Sequence, residues 1–87
     1  MRHAAASSFW AAYRQLPEAV RQLARKNYHL LREDLLHASL RFKEVNSKKR
    51  LWSARVGIHY RALALSVPEG YVWVWIGHHT VYDRLIK

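Results

Sequence analysis

From Leu51 to Arg84 the chain reads LWSARVGIHYRALALSVPEGYVWVWIGHHTVYDR, and this stretch constrains the fold more than any other. Three segments within it alternate with a period of two, the period of a strand whose successive side chains point to opposite faces. Trp52, Ala54 and Val56 share one face of the first segment, opposite Leu51, Ser53 and Arg55. In the second, Tyr60, Ala62 and Ala64 oppose Arg61, Leu63 and Leu65; in the third, Val72, Val74 and Ile76 oppose Trp73, Trp75 and Gly77. Gly57 separates the first two segments, and Pro68 and Gly70 separate the last two, as turn residues do.

The faces suggest a register. A loop of Gly57-Ile58-His59 sets Arg55 across from Arg61 and Val56 across from Tyr60. A loop from Ser66 to Gly70 sets Arg61 across from Trp75 and Ala62 across from Val74. These loops gather every core-type residue on one face. The other face then carries Arg55, Arg61, Trp73 and Trp75, with His79 continuing the same parity. A slip of one residue in either loop would scramble that face.

The first half has a different period. Met1 to Ser8 is rich in small residues and reads as a frayed arm or a short edge strand. Phe9, Ala12, Tyr13 and Leu16 then sit at helical spacing, with Ser7 or Ser8 as a suitable N-cap. Pro17 ends this helix and suits the first turn of the next, where Glu18 meets the positive dipole end. The second helix is expected from about Pro17 to about His37, with Val20, Leu23, Ala24, Asn27, Leu31 and Leu35 facing inward. The two helices read as an α-hairpin. Ser39 to Val45 reads as a short strand with Phe42 inward and Lys43 outward, and Asn46 to Arg50 as a polar turn. Helices followed by strands give an α+β fold. The expectation is one domain over residues 1–87, an N-terminal α-hairpin on a mainly antiparallel twisted sheet of three to four strands.

Charge narrows the function. Fifteen Lys and Arg against six Asp and Glu leave a formal net charge of +9, which points to nucleic acid, the ribosome, an anionic membrane surface or an acidic protein partner. The absence of cysteine excludes disulfides and thiolate metal sites and suits a reducing cytosol. No apolar run approaches the roughly 20 residues of a membrane span. MRHAAASSFW lacks the apolar core of a signal peptide, so the expected location is cytoplasmic, with no membrane contact.

No phosphate-binding loop, dinucleotide fingerprint, HExxH or nucleophile elbow is present. Adjacent on a strand, His78 and His79 would face opposite ways, and the other histidines show no ligand spacing, so neither a metal nor a cofactor is expected. What stands out is a cationic set, Lys43, Arg55, Arg61 and His79, with Tyr82 and Asp83 close behind. Metal-free cleavage of RNA needs a base for the 2′-hydroxyl, an acid for the leaving oxygen and fixed positive charge for the phosphorane-like transition state. His79, Tyr82 or Asp83 could move the protons, and Arg55, Arg61 and Lys43 could supply the charge. Trp73 and Trp75 could stack bases, with Lys48, Lys49, Arg50 and His78 as further RNA contacts.

In this order, FWAAYRQLPEAVRQLA, SLRFKEV, LWSARVGIHYRALA and VWVWIGHHTVYDRLI resemble the RelE/ParE superfamily of bacterial type II toxin–antitoxin toxins over nearly the whole chain. The resemblance implies a compact α+β toxin held inactive in a hetero-oligomer by a cognate antitoxin. RelE-like members cut mRNA in the ribosomal A site with basic residues on the sheet and a tyrosine near the C-terminus. Arg61 matches the arginine of the family's G-Y-R-like segment, Arg55 falls near a functional lysine, and Lys43 near a frequent strand lysine. Gly77-His78-His79-Thr80-Val81-Tyr82-Asp83 is more similar to the G-x-H-x-x-Y-D ending of HigB-like members, and Ser53 stands where RelE has a lysine. These departures leave the acid and base open. The implied activity is a ribosome-dependent mRNA endoribonuclease; the same fold also hosts ParE-like inhibitors of DNA gyrase, and a non-catalytic nucleic-acid-binding member is the third possibility.

Overall fold

The computed structural model describes residues 2–87; Met1 lies outside them. The elements run β1 (Arg2–Ala5), α1 (Ser7–Tyr13), α2 (Glu18–Glu33), a 3-10 turn (Ala38–Leu40), β2 (Lys43–Asn46), β3 (Leu51–Val56), β4 (Tyr60–Val67), β5 (Gly70–His78) and α3 (His79–Leu85). The fold is α+β. The sheet has five strands in the order β1-β5-β4-β3-β2, more than the three to four expected. It is mixed because the N-terminal arm is a strand, β1, paired parallel to β5 from Arg2↔Gly70 to Ala5↔Trp73. No helix among the described residues is long and apolar enough to cross a membrane.

The two early helices cover one face of the sheet. Each packs on its own strand, α1 on β5 and α2 on β3, so the expected hairpin is splayed. A cleft of about 440 Å³ opens between them, lined by Phe9, Trp10, Tyr13 and Tyr28 above and Ala54 and Ala62 below. Neither Ser7 nor Ser8 caps α1, whose N-cap is Ala6. The Ser8 hydroxyl instead donates to the Val74 carbonyl at 2.7 Å. α2 stops at Glu33 rather than near His37, because Asp34 turns extended (φ −153°) and its carboxylate accepts the Leu36 N–H at 3.0 Å. Such a side-chain turn competes with the helical ladder. Asn27, on the inward stripe, donates to the Arg55 carbonyl at 3.0 Å and ties α2 to β3.

The β3–β4 hairpin has the expected register, Arg55↔Arg61 and Val56↔Tyr60. Gly57 enters its turn at φ +67°, a left-handed conformation that glycine adopts freely. The β4–β5 hairpin does not follow expectation. Its turn is only Pro68-Glu69, with Val67 paired to Gly70. With this turn and an irregularity further along β5, Arg61 faces Gly77 instead of Trp75, and Ala62 faces Ile76 instead of Val74. Leu63 pairs with Trp75 and Ala64 with Trp73, which leaves Val74 as a bulge. A bulge adds one residue to one strand and reverses the parity beyond it.

The bulge decides which aromatic residues are core. Tyr71 and Trp73, before it, join Ile76, after it, on the helix face, at 9%, 6% and 2% exposure. Trp75 falls on the opposite face, so Trp73 and Trp75 do not share a face as expected. The Trp73 indole N–H donates to His3 Nδ1 at 3.1 Å, and the His3 ring stacks on Tyr71 and Trp73 with centroids 5.8 and 6.2 Å away. This contact fastens β1 to the core.

Two outcomes follow from these placements. Trp73→Ala empties a core site and is expected to cost roughly 3–5 kcal/mol in a urea titration, against clearly less for Trp75→Ala. Burial first, then nearby positive charge including Arg32, holds the His3 pKa below its ordinary value. The unfolded chain therefore binds this proton at higher pH than the folded chain does. The His3 contribution is complete above about pH 6.5 and is lost as pH falls below it toward the folded pKa. A urea midpoint that falls less between pH 7 and pH 5 in His3→Ala than in the wild type is the expected result.

Candidate active site at the end of the sheet

The corrected register determines what meets at one end of the sheet. Tyr60 pairs with His78, so the next step outward sets His59 beside His79. A backbone hydrogen bond closes that step, His79 N–H to the His59 carbonyl at 2.8 Å. His78 is the last residue of β5 and the N-cap of α3, with its ring nitrogen accepting the Thr80 N–H at 3.3 Å. The chain changes from strand to helix between His78 and His79, so the strand rule that adjacent side chains diverge stops applying there. Their ring centroids are 4.5 Å apart. His59 stacks on His78 at 6.1 Å with 5° between the planes, and lies 6.2 Å from His79. The expectation that the histidines are dispersed is corrected: His59, His78 and His79 each offer a ring nitrogen within 4.8 Å of the others.

Charged groups frame this cluster. Asp83 lies one helical turn beyond His79, with 4.0 Å between its carboxylate and His79 Nδ1. Arg61 curls back over the β3–β4 turn, and its Nη1 donates to the carbonyls of Ile58 (3.1 Å) and Tyr60 (2.8 Å). Those carbonyls flank His59, so the guanidinium is fixed at the turn that carries the imidazole. Arg55 stands directly opposite Arg61, and its Nε is buried without a hydrogen-bond partner among the described residues. Neither arginine forms an ion pair there. Like charges directly opposed across strands are destabilising. An anion between them would relieve that repulsion.

The remaining candidates separate into three groups. Tyr82 is 8% exposed, on α3, which packs against β5 and β4. Lys43 and Trp75 are on the sheet's second face, in a row Lys43–Ser53–Leu63–Trp75 across four strands. The Trp75 ring lies over Gly77, in the space that a Cβ there would occupy. Lys48, Lys49 and Arg50 are exposed in the β2–β3 turn, at the other end of β3 from the histidines. Lys49 Nζ bonds the Lys87 carbonyl at 3.1 Å, which ties the end of the chain to that turn. Trp73 is in the core and presents no face to a base.

His59 is the residue that sequence reasoning missed. With Arg61 set across from Trp75, His59 would fall beside Gly77, two residues short of His79. The tighter turn and the bulge together bring the histidines into one row. Imidazole both gives and takes a proton near neutral pH, so a group of three beside a fixed guanidinium can run acid–base chemistry on an anion. The same nitrogens are donors for a borderline metal ion.

No protein-family model matches the sequence, and no curated protein matches it. Among solved structures, the fold is similar to a chain of the crystal structure of the RelB–RelE antitoxin–toxin complex from Methanococcus jannaschii. The two share 17% sequence identity with a TM-score of 0.73, over 93% of this chain and 96% of the other. The similarity is one of fold.

Proposed function

We propose that this chain is the toxin of a type II toxin–antitoxin pair, a ribosome-dependent mRNA endoribonuclease that cuts without a metal ion and inhibits translation in the cytoplasm. The convergence of His59, His78 and His79 on the turn held by Arg61 is the observation that carries this reading. The toxin side of such a pair is favoured over the antitoxin side by charge and packing. The chain has its own helix–sheet core and a formal charge of +9, which suits RNA and is the wrong sign for neutralising a cationic toxin.

In this mechanism His79, oriented by Asp83, takes the proton from a 2′-hydroxyl. The freed oxygen attacks the adjacent phosphorus, and the 5′-oxygen leaves with a proton from the His59 imidazolium. The products are a 2′,3′-cyclic phosphate and a 5′-hydroxyl. Arg61 and Arg55 stabilise the charge that accumulates on the phosphorane oxygens. Trp75 and Lys43 are placed on the second face to contact the flanking nucleotides, and Tyr82 positions α3 and with it His79 and Asp83. The Lys48-Lys49-Arg50 turn is set to contact ribosomal RNA away from the cut. The antitoxin is expected to lay an acidic segment on the Arg55/Arg61 face and mask it.

The test is a translation reaction with purified ribosomes, with mRNA ends mapped by primer extension. Wild-type protein is expected to produce new A-site ends, and Arg61→Ala to reduce their rate by roughly 100-fold or more, the scale of losing one transition-state donor. Tyr82→Phe, which keeps the buried ring, is expected to cut nearly as fast as wild type. An intact message together with inhibited gyrase supercoiling in a parallel reaction would overturn the nuclease reading.

A further inference from the structure

The histidine cluster has a second chemical capacity that the proposed cleavage does not use. We infer that His59, His78 and His79 form a three-imidazole site for a borderline divalent transition metal, of which Zn²⁺ is the probe, and that the bound ion closes the site. The inference stands on the geometry of the cluster; only the closing effect rests on the nuclease reading.

The donor set fits such an ion. Neutral imidazole nitrogens bind Zn²⁺ at about 2.0–2.1 Å, and tetrahedral geometry then places the nitrogens about 3.3 Å apart. The three rings hold theirs within 4.8 Å of one another, so side-chain rotation of roughly an ångström or two closes the gap. The backbone need not move. The turn and the strand end are already joined by the 2.8 Å bond from His79 to His59. Three protein ligands leave a fourth position for water, as in open zinc sites. Asp83, 4.0 Å from His79 Nδ1, can orient that ring from outside the inner shell.

Selectivity follows from the same atoms. The cluster contains no thiolate and only one carboxylate, so it favours Zn²⁺, Ni²⁺ or Cu²⁺ over Mg²⁺ or Ca²⁺, which require oxygen ligands. Arg61 at the adjoining turn opposes any cation, so the site answers to an excess of metal and does not retain a resident ion. Once bound, the ion occupies the imidazole lone pairs, and His79 can no longer accept a proton. The cluster would thus turn a rise in free zinc into loss of cleavage.

Calorimetry of the whole chain with Zn²⁺ alone, in a non-chelating buffer, tests this directly. One ion per chain is expected. His59→Ala and His59→Asn, both in an exposed turn, should each weaken binding about 10-fold or more, at least the typical loss on removing an outer-shell partner. Mg²⁺ should give no heat. In histidine side-chain NMR spectra, the resonances of His59, His78 and His79 should move with Zn²⁺ while those of His3, His29 and His37 stay. Absence of stoichiometric binding, or equal binding by the His59 variants, overturns the metal site whatever the nuclease assay shows. Stoichiometric binding in a protein that cuts no mRNA would keep the site and remove the cleavage reading alone.

Discussion

One extra residue in β5 organises the rest of this structure. Val74 has no partner on β4, and the parity of the strand reverses across it. That reversal lets Trp73 and Ile76, three positions apart, share the core while Trp75 turns outward. It also frees the Val74 carbonyl, which the Ser8 hydroxyl takes up to anchor α1. A regular strand would have had to bury one tryptophan pair or expose it. The bulge separates the two, so that β5 serves as the core strand of the helix layer and as the outer wall of the candidate site.

The second consequence is electrostatic. The tight Pro68-Glu69 turn moves β5 by one residue against β4 and the bulge at Val74 by one more, and the histidines at the ends of both strands come level. They do so beside two arginines that face each other without an acidic partner among the described residues. Arg61 is held by carbonyl oxygens, which satisfy its hydrogen bonds and leave its charge uncompensated. A fold that keeps such a pair has stability to gain from an anion bound there, by mass action. A phosphodiester or an acidic segment of a partner would supply the same charge, so in the proposed function substrate and inhibitor would compete for one surface.

Much of the fold was legible in the sequence. Period-two alternation located β3, β4 and β5, and Gly57 set the first hairpin, because a turn that needs a left-handed residue has few alternatives. The second hairpin was misread, for a physical reason. Val72, Val74 and Ile76 alternate perfectly with Trp73, Trp75 and Gly77, and nothing in a pattern of apolar residues marks the one that a bulge will omit. The same error hid His59, whose relation to His79 exists only in the true register. β1 was half legible: a four-residue strand, Arg2–Ala5, gains its place from pairing with β5 and from the His3 contact to Trp73, both remote in sequence. The site arginines were legible because their hairpin was, whereas the isolation of Lys48, Lys49 and Arg50 at the far end of β3 required the topology.

In the proposed function the imidazole brought in by the register, His59, takes part in cutting RNA. The most direct measurement is single-turnover cleavage of A-site mRNA by the wild type and by His59→Ala, with the fold of both checked by circular dichroism. The variant is expected to stay folded, still bind ribosomes, and cut slower by about 100-fold or more, the usual scale for losing a general acid. Equal cutting rates in the two proteins would contradict that role, and would leave the histidine cluster without a part in the chemistry.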